Sequence, residues 1–130
     1  MFGPAPELPP WLARMLPLPR RSYTLERGED RGRRLHFIDA GRGPVIVLLH
    51  GNPTWSFLWR GVIQRLGDMR CVAPDLLGFG LSDKPAHERE HSVDRHADAL
   101  AELVTALDLR DIVLVGQDWG GPLAAAVGAR

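Results

Sequence analysis

The chain has 130 residues, 45% of them hydrophobic and 25% charged, with 16 basic residues balanced by 16 acidic ones. That composition fits one modest globular domain and excludes a disordered segment. With no net charge there is no field to hold nucleic acid or an anionic membrane, and a single cysteine, Cys71, makes neither an internal disulfide nor a metal-ligand set.

Residues 1–21, "MFGPAPELPPWLARMLPLPRR", carry prolines at positions 4, 6, 9, 10, 17 and 19. They contain neither the ~18–20 apolar residues of a membrane span nor the ~7–15 of a secretory leader. The expectation is a cytoplasmic protein that begins with an extended, proline-rich arm, with Trp11, Leu12 and Leu16 available to dock on a neighbouring surface. Residues 22–130 form the folded core.

"SYTLER" (22–27) and "RLHFIDA" (34–40) alternate as paired antiparallel strands across a polar turn. "VIVLL" (45–49) is continuously apolar, as in a strand buried on both faces of a parallel sheet. "MRCVAPD" and "DIVLVGQ" repeat that signature, and the first places Cys71 in a strand as a buried, inert thiol. Trp55, Leu58, Trp59, Val62, Ile63 and Leu66 recur at helical spacing behind Thr54, a candidate N-cap. Val93, Ala97, Leu100, Val104 and Leu107 repeat the pattern behind Ser92, with His91 and His96 assigned to a solvated face. Strand, helix, strand, helix, strand and a helix start make an α/β protein, in which chemistry gathers beyond the carboxyl ends of the strands.

Three loops lie at those ends. "HGNPTWSFLWR" follows the 45–49 strand, where His50 and Gly51 allow a sharp turn and Asn52 offers a side-chain amide and a backbone N–H. "PDLLGFGLSDKP" has Gly78 and Gly80 but Asp83 where a dinucleotide fingerprint needs a third glycine, so it reads as a structural loop. "VGQDWGGP" fits the small-x-nucleophile-x-small frame of a nucleophile elbow, with Gly116 and Gly120 flanking Asp118. Taken alone, Asp118 reads equally as a helix N-cap. The apolar strand before it and the "HGNP" loop after a second such strand favour catalysis.

In this order and spacing, the three segments resemble the N-terminal half of a haloalkane dehalogenase of the α/β-hydrolase superfamily. The resemblance runs from about Tyr23 onward, and Asn52 after "HG" separates it from epoxide hydrolases, which usually carry an aromatic residue there. It implies an α/β-hydrolase fold and hydrolysis of a carbon–halogen bond without cofactor or metal. Asp118 is the implied nucleophile, Asn52 and Trp119 the halide-binding pair and oxyanion hole, and His50, Gly51, Gly116 and Gly120 structural turn residues. The implied partners are a small hydrophobic halogenated substrate and water.

The chemistry is coherent. A saturated carbon offers no carbonyl for a serine, whereas a carboxylate is already an anion at neutral pH. The departing halide needs donors fixed in advance, which an indole N–H and an amide provide. The superfamily order is nucleophile, acid, histidine, yet all five histidines here precede Asp118. The expectation is therefore an incomplete fragment without turnover of its own, with the 112–116 strand left as an open apolar edge. Competing readings are an epoxide hydrolase, a luciferase-like oxygenase and a non-catalytic binder of hydrophobic ligands.

Overall fold

A computed structural model describes all 130 residues. Six strands form one mixed sheet: β1 (Phe2–Pro4), β2 (Arg20–Thr24), β3 (Arg34–Ala40), β4 (Val45–Leu49), β5 (Arg70–Pro74) and β6 (Val113–Gly116). Their spatial order is β1-β2-β3-β5-β4-β6. The first three strands run antiparallel, β3 meets β5 antiparallel, and β4 lies between parallel neighbours β5 and β6. The carboxyl ends of β4 and β6 thus lie side by side, with Leu49 in register with Gly116.

The two-residue period of the strands sorts the core into two layers. Val47, Leu49 and Val72 face one side with Leu35 and Phe37, under helices α3 (Val93–Ala106) and α4 (Gly120–Gly128). Ile46, Leu48, Cys71 and Ala73 face the other with Ile38 and Ala40, under Ile63 of helix α2 (Arg60–Arg65) and Leu16. Each fully buried Leu, Ile or Phe contributes about 1.5–3 kcal/mol from removed apolar surface. Cys71 is buried within the second layer, and burial pushes its thiol pKa up.

Three local expectations change. Residues 1–21 are not simply an extended arm: Phe2–Pro4 pairs with β2, and Pro10–Met15 forms helix α1. The Phe2–Tyr23 pairing sets their rings 4.9 Å apart, and proline in the first turn of a helix forfeits no hydrogen bond. Leu16 docks with 2% exposure while Trp11 remains 58% exposed, and β2 begins at Arg20, inside the expected arm.

Thr54 caps no helix. Its Oγ1 donates to the Gly51 carbonyl at 2.9 Å, a 3-10 turn spans Ser56–Trp59, and α-helix begins only at Arg60. Of the helical face expected there, Ile63 is buried but Leu58 and Val62 are exposed. By contrast, Ser92 does cap α3, its hydroxyl accepting from Arg95 N at 3.1 Å. No helix is long and apolar enough to cross a membrane.

Candidate active site

The turn between β6 and α4 brings Asp118 to its apex in a left-handed conformation, φ 57°. Non-glycine residues rarely adopt that region, and the surroundings must over-determine it. The flanking glycines do so. A Cβ on Gly116 would lie 2.1 Å from Gly120 O, and one on Gly120 would lie 2.2 Å from Leu49 O. Gln117 N donates to Leu49 O at 3.1 Å, Gly120 N to Gln117 O at 2.9 Å, and Gly121 N to Asp118 O at 3.0 Å. These bonds lock the turn onto the end of β4.

Asp118 makes no cap: α4 has Trp119 at its N-cap position and no side-chain capping bond. The carboxylate instead presses toward the facing loop, where a Cβ on Gly51 would lie 2.8 Å from both Asp118 Cβ and Oδ2. Gly51 is thereby the residue whose missing side chain lets Asp118 stand opposite the β4 loop. Asn52 is its neighbour, and Asn52 and Trp119 line one cavity of about 430 Å³. Leu76, Phe79 and Leu123 give that cavity its apolar wall. The elbow and loop bonds leave the Asn52 amide, the Trp119 indole N–H and both residues' backbone N–H groups free of partners within the chain. Trp119 is 53% exposed.

His50 is held as a neutral ring. Leu76 N donates to its Nε2 at 2.9 Å, so its proton sits on Nδ1 and is donated to Gly51 O at 2.7 Å. Burial lowers its pKa, ahead of the opposing pull of the Gly51 carbonyl and Asp75. Both ring nitrogens are occupied: Nδ1 closes the β4 loop on Gly51 O, and Nε2 ties that loop to the β5 loop.

Two features escape the sequence. His96 does not lie on a solvated face: with His91 it lines the cavity that holds Asn52 and Trp119, the two rings 5.7 Å apart. Burial, then the neighbouring His91, pushes its pKa down to about 4. The spacing signal was present, since His96 precedes the buried Ala97 on the first turn of α3.

The second is Asp75, fully buried at the end of β5. His36 Nδ1 donates to its Oδ2 at 2.7 Å, Leu81 N to Oδ2 at 3.0 Å and Ser56 N to Oδ1 at 2.6 Å. Arg20 Nη1 donates to His36 Nε2 at 3.1 Å, which leaves the His36 proton on the nitrogen facing Asp75. Burial pushes the Asp75 carboxyl up, but the bonds from His36, Leu81 and Ser56 outweigh it and hold the pKa below the usual carboxylate value. A carboxylate between an apolar strand and a glycine loop was the available signal.

Residues 44–130 match the family model described as alpha/beta hydrolase fold. The chain belongs to the α/β-hydrolase family. Within that family it is similar to haloalkane dehalogenase 2 of Mycobacterium tuberculosis, 46% identical over 127 residues, which cover 97% of this chain and 40% of the relative. A haloalkane dehalogenase of Mesorhizobium japonicum is 43% identical over 98 residues, 74% of this chain and 31% of that protein. The solved haloalkane dehalogenase of Paraglaciecola agarilytica NO2 superimposes with TM-score 0.77 at 37% identity, covering 93% of this chain and 42% of that one. An epoxide hydrolase of Vigna radiata reaches the same TM-score, 0.77, at 28% identity over 86% of this chain and 34% of its own. This α/β-hydrolase chain thus spans about 40% of the length of the curated relatives that match it over most of its residues.

Proposed function

We propose that this α/β-hydrolase chain carries the nucleophile and leaving-group site of a hydrolytic haloalkane dehalogenase. One observation supports it most: a carboxylate at the strained apex of the elbow faces the loop bearing Asn52, and Asn52 and Trp119 share a cavity with their N–H donors unclaimed. An Asp118 carboxylate oxygen attacks the sp³ carbon from behind, forming a carbon–oxygen bond as the carbon–halogen bond breaks. The bonding pair leaves on the halide, which accepts from Trp119 Nε1–H and the Asn52 amide.

Water then adds to the ester carbonyl of Asp118, and the backbone N–H groups of Asn52 and Trp119 receive the oxyanion. Collapse returns the carboxylate and releases the alcohol. The water must give up its proton to a base, and His50 is not that base because both its nitrogens are engaged. We assign the base and its acidic partner to the part of the relatives' length that this chain does not span, and the reaction to the cytoplasm, on a small hydrophobic halide.

The epoxide hydrolase reading rests on an equally close fold, TM-score 0.77. It forms the same aspartyl ester but must protonate a ring oxygen, and the residue on this chain that speaks against it is Asn52, an amide donor on the cavity where epoxide hydrolases usually carry an aromatic residue. The test is halide release from a bromoalkane beside diol formation from an epoxide. Halide release that disappears in Asp118→Asn supports dehalogenation; diol without halide overturns it.

A further inference from the structure

Asn52 lies on a short loop between two ties to the β5 loop. On one side Leu76 N donates to His50 Nε2 at 2.9 Å, while His50 Nδ1 holds the ring to Gly51 O at 2.7 Å. On the other, Ser56 N donates to Asp75 Oδ1 at 2.6 Å. Asp75 is itself fixed from two further directions, by His36 of β3 and by Leu81 of the glycine loop. Gly80 keeps that loop close, since a Cβ there would lie 2.4 Å from Asp75 Oδ2 and 2.9 Å from Trp55 Cβ.

We propose that Asp75 is a positioning residue for leaving-group binding: its carboxylate anchors the far end of the Asn52 loop and so holds the Asn52 donors opposite Asp118 and Trp119. The inference rests on the dehalogenase reading of Asn52 and Trp119, and it assigns Asp75 no contact with substrate. A fully buried carboxylate spending its two oxygens on three segments is costly unless every bond is made. Asp75 has that complete set. A halide donor must be placed within a few tenths of an ångström, and a loop flanked by two such ties has little freedom to drift.

The test is bromide binding to the purified protein, read as the saturable part of tryptophan fluorescence quenching. Wild type should show a saturable component that Asn52→Ala and Trp119→Phe each remove. If wild type shows none, the dehalogenase reading fails, and the proposal with it. Given that component, Asp75→Asn should weaken bromide affinity by about tenfold or more, because the amide offers a donor where one of three N–H groups needs an acceptor.

Ser82→Ala separates positioning from general stability. It deletes the Ser82 hydroxyl bonds to Asp75 O and from His36 N but leaves the Ser56 tie. It should lower Tm and leave bromide affinity within about twofold. Ser56→Pro removes the N–H that Asp75 anchors, at the first position of its 3-10 turn, together with a buried hydroxyl that makes no bond. Ser56→Ala deletes that hydroxyl alone and is its control, and the pair decides the matter if Asp75→Asn does not fold. Bromide affinity that survives in Ser56→Pro or Asp75→Asn, or that Ser82→Ala weakens equally, overturns the positioning role while the dehalogenase reading stands.

Discussion

Gly120 and Gly121 are adjacent in sequence, and alanine at the two positions should act in opposite directions. At Gly120 the new Cβ would lie 2.2 Å from Leu49 O, 2.9 Å from Leu49 C and 3.1 Å from His50 O. All three atoms are backbone at the end of β4, so no side-chain rotation relieves the overlap. The strand or the elbow must move. Overpacking typically costs 1–3 kcal/mol, and an immovable partner puts this substitution at the upper end, about 3 kcal/mol. At Gly121 a Cβ meets nothing within 4 Å. Alanine there should add about 0.5–1 kcal/mol by restricting the unfolded chain and favouring helix. For a domain of this size 1 kcal/mol moves Tm by about 3–5 °C. Thermal and urea unfolding should therefore place Gly120→Ala about 10 °C below wild type and Gly121→Ala a few degrees above it. Similar shifts for both variants, or a tolerated Gly120→Ala, would refute the close approach of α4 to β4 on which the elbow depends.

Protonation and the sheet edge give two more expectations. His96 titrates near 4 when folded against 6.5 for an ordinary histidine, so between those values the unfolded chain takes up a proton that the folded protein refuses. Its contribution to stability is full above pH 6.5 and declines toward pH 4; His96→Gln should make urea midpoints fall less steeply across that window, with the remaining slope coming from His50, lowered in the same direction. An unchanged slope would contradict the burial of His96. β6 ends the sheet with Val113 53% exposed, so Val113→Lys should reduce concentration-dependent association in light scattering. Association unaffected by that charge would show that the β6 edge is not the contact.

The strands were the most legible part of the sequence, because continuous apolar runs such as Val45–Leu49 leave few alternatives to a doubly buried strand. The α/β-hydrolase fold follows from their order and from the elbow. What was hidden depended on tertiary partners. Phe2 joins the sheet through backbone pairing with β2 and ring contact with Tyr23, which no proline count reveals. Thr54 looks like a cap until Gly51 O claims its hydroxyl. His96 reads as solvated when its helix is drawn alone and lines the cavity once the β4 and β5 loops fold over it. Asp75 hides inside a segment that reads only as a structural glycine loop, although a carboxylate at the end of an apolar strand must find partners to be buried there. For the site itself, the sequence supplied the residue types and their order, and the structure adds distances: Gly51 against Asp118, and Asn52 and Trp119 on one cavity.

The proposed function turns on a covalent ester between Asp118 and a saturated carbon. Incubating the protein with a bromoalkane in heavy-oxygen water, then mapping the elbow peptide by mass spectrometry, interrogates that bond directly. An alkyl mass on Asp118, or heavy oxygen in its carboxylate once the ester has hydrolysed, is the predicted result. Bromide released while Asp118 carries neither alkyl group nor label would contradict it.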